Sequence, residues 1–114
     1  MDYFDNVPQI DPESTFEQWQ KGDVTLIDVR EQSEWDLGHI DGILFVPLGQ
    51  LQWRWRELDK DKKWICVCRR GNRSNYAAAL LREAGYDVAN MSGGMLEWKA
   101  LKLPITDPGI VQEH

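Results

Sequence analysis

Short apolar runs alternate along this chain with segments whose apolar residues recur at helical spacing. The runs are Val24-Thr25-Leu26-Ile27-Asp28-Val29, Ile43-Leu44-Phe45-Val46, Lys63-Trp64-Ile65-Cys66-Val67 and Asp87 to Met91. Val24 to Val29 is β-branched and apolar on consecutive positions, the pattern of a strand covered on both faces; Lys63 to Val67 reads as a buried strand and Asp87 to Met91 as a short one. Pro47 closes the second run. The helical segments begin with Pro12 to Gln20: Pro12 suits a first turn, Glu13 and Glu17 favour the N-terminal end, Phe16 and Trp19 mark an apolar face, and Lys21-Gly22 is a stop. A short helix about Ser33 to Leu37, a Trp/Arg-rich segment from Leu48 to Leu58, a long helix from Ser74 to Ala84 and a final helix from Gly94 to Ala100 follow. Strands alternating with helices predict an α/β protein, a parallel sheet with helices on both faces joined by right-handed crossovers.

At 114 residues the chain is expected to form one compact domain, burying roughly two thirds of its unfolded surface. It shows no internal repeat and no low-complexity tract. Met1 to Asp5 carry no basic segment or long apolar run, and nowhere do about eighteen apolar residues stand together. The reading is a soluble cytoplasmic protein without a membrane partner.

Charge narrows the partners. The net charge of -6 argues against nucleic acid, which needs a basic face. Its distribution is uneven: from Arg54 to Arg73 eight basic residues stand against three acidic ones, a local +5 that leaves -11 for the rest. A basic segment on an acidic protein suits a small anion better than a long polyanion. Lys60 to Lys63 read as a solvated loop. Arg69, Arg70 and Arg73 read differently, because they flank a cysteine.

That cysteine is Cys68, on the turn between the strand ending at Val67 and the helix starting at Ser74. Open α/β sheets place ligands at such turns. Backbone N–H groups and the positive end of a helix dipole converge there, and such surroundings favour thiolate over thiol. Gly71 is suited to φ > 0, with Asn72 the next most tolerant residue, so Cys68 to Arg73 is expected to curl into a nest of donors around the sulfur. Cys68 is the candidate nucleophile. Cys66 lies two residues upstream, its Cα about 6.6 Å away in an extended strand with a parallel side chain, which is poor disulfide geometry. With only His39 and His114 to join the two cysteines, no structural metal is expected.

The order Asp28-Val29-Arg30-Glu31 with Glu34, Gly38-His39-Ile40-Asp41-Gly42, Cys68-Arg69-Arg70-Gly71-Asn72-Arg73-Ser74, then Ser92-Gly93-Gly94 and Trp98 resembles a single-domain rhodanese, a sulfurtransferase. The likeness runs from about residue 10 to 104, within a single domain of residues 1 to 114. It implies a small parallel sheet of about five strands flanked by helices. It also implies that Cys68 takes a sulfane sulfur as a persulfide, with Arg69, Arg70, Gly71, Asn72 and Arg73 forming the bed of backbone donors that holds the outer sulfur. No cofactor is implied beyond the covalent persulfide. Thiosulfate is the implied small anionic donor, with sulfite expelled and a protein thiol or cyanide as acceptor in a ping-pong scheme. Related phosphatases and arsenate reductases have a loop one residue longer, so oxyanion chemistry through Cys68 and Arg73 is the rival. A rhodanese-like binding module without catalysis is a second rival.

The remaining polar residues read as support. Arg30 is placed to pair with Glu34, four residues on, and Asp28 to receive hydrogen bonds from the cysteine loop and brace it. A Cys68–His39 dyad is disfavoured, since the family likeness implies a structural role for the Gly38-His39-Ile40 segment. Cys66, where the family often has a larger residue, reads as a buried strand residue, with a resolving thiol as the alternative. Trp35, Trp64 and Trp98 are expected in the core, Trp19 on a helix face, and at least one of Trp53 and Trp55 in solvent.

Overall fold

The computed structural model describes residues 6–106. Five parallel strands form one sheet: β1 (Gln9–Ile10), β2 (Thr25–Asp28), β3 (Leu44–Phe45), β4 (Lys63–Val67) and β5 (Asp87–Met91), in the spatial order β1-β5-β4-β2-β3. Five α-helices connect them: α1 (Pro12–Gln20), α2 (Gln32–Asp36), α3 (Leu48–Arg54), α4 (Asn72–Glu83) and α5 (Gly94–Ala100). A 3-10 turn over Trp55–Glu57 extends α3.

The unbroken apolar runs are explained by two cores, one on each face of the sheet. Ile27, Trp64, Cys66 and Val88 face α3 and α4, whose Leu51, Ala77, Ala78 and Leu81 cover them. Leu26, Ile65, Val67, Ala89 and Met91 face the other way, onto Met95 and Trp98 of α5, with Phe16 and Trp19 of α1 packed alongside. Successive side chains of β4 thus enter opposite cores, the two-residue period of a strand. Phe16 meets the buried Trp98 edge-on at 5.7 Å.

Most predicted elements form where the pattern placed them. α1 starts at Pro12 under an Asp11 cap, whose side chain accepts from the Ser14 N–H at 2.7 Å. It ends as predicted at Lys21, with Gly22 at φ +80°. β1 was not foreseen. Two residues carry no periodicity, and Gln9–Ile10 becomes a strand only by lying beside Asn90 and Met91 of β5. α4 starts two residues early, at Asn72, because Gly71 alone makes the left-handed turn, at φ +99°. The expectation that Asn72 shares that turn is therefore corrected: it is the first helical residue. The Leu48–Leu58 segment resolves into α3 and its 3-10 extension. Trp53 is 59% exposed, while Trp55 is half-buried beneath the Arg56 guanidinium at 4.6 Å.

No helix of the described residues is long and apolar enough to cross a membrane.

Candidate active site

β4 is flanked by β2 and β5, and Cys68 follows its last residue at the carboxyl edge of the sheet. The loop from Cys68 to Gly71 then reverses the chain into α4. The Cys68 side chain, 1% exposed, continues the β4 alternation and points to the α3/α4 side. Its sulfur lies 3.1 Å from the Gly71 N–H nitrogen, 3.2 Å from that of Ser74 and 3.1 Å from the Ser74 hydroxyl oxygen. Donors thus meet the sulfur from Gly71, inside the expected nest from Cys68 to Arg73, and from Ser74, just beyond it. Of the stretch from Arg69 to Arg73, Gly71 reaches the sulfur, and Ser74, which the sequence reading passed over, makes the other two contacts. Ser74 could have been found as a hydroxyl in the first turn of a helix whose inward face is otherwise alanine and leucine.

α5 holds the loop from behind. The Met95 and Leu96 N–H groups donate to the carbonyl oxygens of Cys68 and Arg69 at 2.8 and 3.0 Å. These are N–H groups of the first turn of α5, which have no partner within the helix. The approach leaves no room for a side chain at Gly94: a Cβ there would collide with the carbonyl groups of both loop residues. This close passage accounts for the second glycine of Ser92-Gly93-Gly94. Arg69 and Arg70 stay exposed, and Arg70 lines a polar hollow beside the loop with Gly71, Asn72 and Ser92.

Arg73 turns elsewhere. Both its terminal nitrogens donate to Glu34 of α2, at 2.7 and 2.8 Å. That bidentate pair, with help from the Glu31 N–H, holds the Glu34 carboxyl down at about 2 against the desolvation that opposes it. The same hydrogen bonds raise the Arg73 guanidinium above its ordinary value.

The expected Arg30–Glu34 pair does not form. Arg30 instead makes a buried pair with Asp28: its Nε and Nη2 donate to the carboxylate at 3.0 and 2.8 Å, and its own N–H donates at 3.0 Å. Nη2 also donates to the Gly38 carbonyl oxygen at 2.9 Å. Asp28 therefore braces Arg30 and the Gly38 turn, not the cysteine loop. Both side chains are almost wholly buried, so each needs the other nearby, and Arg30 follows Asp28 by only two residues. Glu34 is left to the loop arginine.

His39, the one histidine among the described residues, stacks on Trp35 at 3.7 Å, and its Nδ1–H donates to the Trp35 carbonyl oxygen at 2.9 Å. Those contacts fix it to α2. Trp35 itself is only half-buried, between His39 and Phe45, whereas Trp64 and Trp98 are core residues.

Cys66 is fully buried in the central strand, and it and Cys68 are both free thiols. Burial, with the neighbouring Cys68 adding to it, pushes the Cys66 thiol well above its ordinary value. Its side chain packs with Ile27, Trp64 and Val88 in the core on the α3/α4 side. Cys66→Ala is expected to keep sulfur transfer within about twofold and to cost about 1 kcal/mol of stability, as a small core deletion does. Turnover kinetics beside single-turnover loading would reveal the alternative: lost turnover with intact loading would make Cys66 a resolving thiol.

A parallel α/β sheet whose central strand leads into a cysteine cradled by the following helix presents a thiol at the carboxyl edge of the sheet, where open sheets of this class bind their ligands. The comparisons specify which. The chain belongs to the rhodanese-like domain family, whose model matches residues 12–101. A sulfurtransferase of Allochromatium vinosum is 36% identical over 104 residues, covering 90% of this chain and 97% of that protein. The putative sulfur carrier protein YrkF of Bacillus subtilis is 34% identical over 96 residues, 82% of this chain and 51% of that one. Another curated relative is longer still, the chain spanning 40% of its length. Among solved structures, a rhodanese-related protein of Thermoplasma volcanium superposes with a TM-score of 0.82 at 29% identity, over 87% of this chain and 97% of that one.

Proposed function

We propose that this chain is a rhodanese-type sulfurtransferase that carries a sulfane sulfur as a persulfide on Cys68. The observation that carries this reading is the cradle of Gly71 N–H, Ser74 N–H and Ser74 hydroxyl around one sulfur atom. Donors aimed at a buried sulfur stabilise the charge it bears as a thiolate nucleophile and, after loading, as part of a persulfide anion. With thiosulfate, the Cys68 thiolate attacks the outer sulfur. A new S–S bond forms, the S–S bond of thiosulfate breaks, and sulfite leaves with the electron pair. A second thiolate, or cyanide, then attacks the outer sulfur of Cys68 and releases the Cys68 thiolate. No cofactor enters this scheme, and the working unit is one domain acting in the cytoplasm. Two features favour it over oxyanion chemistry: the short loop, and the commitment of both Arg73 terminal nitrogens to Glu34.

Intact mass of the protein after incubation with thiosulfate, or with a low-molecular-weight persulfide, tests the reading. The expected result is a gain of one sulfur atom that reductant reverses. A protein that gains no mass from either donor is not a sulfurtransferase of this kind, and a phosphate-ester assay would then decide for the oxyanion rival or against catalysis.

Thiosulfate specifically is assigned to the exposed Arg69 and Arg70, which would hold the sulfonate oxygens. Arg69→Ala combined with Arg70→Ala is expected to raise the KM for thiosulfate about tenfold and that for an uncharged sulfane-sulfur donor, such as an organic trisulfide, less than twofold. Equal effects on both donors would remove the sulfonate clamp.

A further inference from the structure

The sulfur cradle depends on a residue outside the loop. Asn90 lies in β5, a strand otherwise apolar from Val88 to Met91, and is 3% exposed. Its Nδ2 is 3.0 Å from the Gly71 carbonyl oxygen and 2.9 Å from Gln9 Oε1. A carbonyl oxygen only accepts, so the nitrogen must face Gly71, and the amide orientation follows from chemistry. Oδ1 then points at Ser74, 2.5 Å from its hydroxyl oxygen. One carboxamide thereby grips both residues whose donors reach Cys68: Gly71 by its carbonyl and Ser74 by its hydroxyl. Gln9 of β1 secures the arrangement, its own Nε2 donating to Asn75 Oδ1 at 2.7 Å and to the Val7 carbonyl oxygen at 3.1 Å.

The hydroxyl is the informative part. Ser74 has one proton and two acceptors, Asn90 Oδ1 at 2.5 Å and Cys68 Sγ at 3.1 Å. An amide oxygen cannot donate, so that short contact holds only while the proton lies on it. The Ser74 oxygen then turns a lone pair toward the Cys68 thiol. When the sulfur is charged, the proton turns to it from Asn90 Oδ1, the short contact is given up, and the oxygen begins that turn already 3.1 Å from the sulfur.

We propose that Asn90 is a positioning residue for the nucleophile: by accepting from Ser74 it holds the hydroxyl oxygen within reach of the Cys68 sulfur. The proposal deepens the sulfurtransferase reading and rests on it for its biological meaning, but its test does not need sulfur donors. The measurement is the rate of Cys68 alkylation by iodoacetamide per folded molecule, followed by intact mass, in a double-mutant cycle of Asn90→Ala and Ser74→Ala. Asn90→Ala is expected to slow alkylation about tenfold in the Ser74 protein and less than about twofold in the Ser74→Ala background, because the shared contact is already gone. Persulfide loading, measured in parallel, should show the same pattern.

A role in stability alone would lower the melting temperature while the alkylation rate stayed the same or rose, and would overturn the proposal. So would equal slowing in both backgrounds, which would mean that Asn90 acts by a route other than Ser74. Wild-type protein that is alkylated at Cys68 but never takes up sulfur would defeat the functional reading and leave the alkylation cycle to judge Asn90. Should Asn90→Ala fail to fold, Asn90→Leu, closer in volume and lacking both polar arms, runs the same cycle.

Discussion

Cys68→Ser is expected to abolish sulfur loading altogether while leaving a folded protein. The substituted atom would enter a site already furnished with two N–H donors and a hydroxyl, so the serine oxygen is not stranded in the core. The stability cost is about 1 kcal/mol, a drop of roughly 5 °C in Tm for a domain of this size. Chemistry is lost for a different reason. A serine hydroxyl attacks only with a base beside it, and the His39 ring is held against Trp35. Intact mass after thiosulfate or persulfide, with a melting curve on the same sample, reads both effects. Cys66 is the chain's only other thiol. Sulfur uptake by the variant would place the chemistry there, against the burial that pushes that thiol up.

Asp28→Ala is expected to be the most damaging substitution for stability, by about 3–5 kcal/mol. Asp28 is fully buried, and the Arg30 side chain is 3% exposed. Removing the carboxylate would leave a guanidinium in the core with the Gly38 carbonyl oxygen as its remaining hydrogen-bond acceptor. Set against a typical total of about 5–15 kcal/mol, this puts the variant near its unfolding limit. The informative companion is Asp28→Leu with Arg30→Met. It removes both charges and keeps the volume, and should recover most of the loss, since two apolar side chains need no partner. Urea denaturation of the three proteins separates the cases. If Asp28→Ala loses less than about 1 kcal/mol, the pair does not carry the weight its burial implies.

The cysteine loop shows where reading the sequence succeeded and where it stopped. Cys68 was legible because three local signals coincide at it: the end of a continuous apolar run, a glycine able to turn left-handed, and the start of a helical period. Ser74 and Asn90 were not, because a serine near a helix start and an amide in a strand each have ordinary local explanations. Their part emerges only when β5 lies beside β4 and brings Asn90 to Ser74, sixteen residues away. The charges behaved likewise. Arg30 and Glu34 have the spacing of a helical pair, but Arg30 precedes the helix and turns inward to Asp28.

The sequence by itself determined the elements other than β1, their order, the two-sided parallel sheet and the turn on which Cys68 stands. Each of these rests on forces between near neighbours in the chain: the period of apolar positions, the φ a residue tolerates, a proline that suits a first helical turn. The tertiary structure alone decided who partners whom: Arg73 with Glu34 across thirty-nine residues, Asn90 with Ser74 and Gly71, and Gly94 against the loop carbonyls. Such contacts depend on distance and burial, and chain crossings fix both only after the elements have packed.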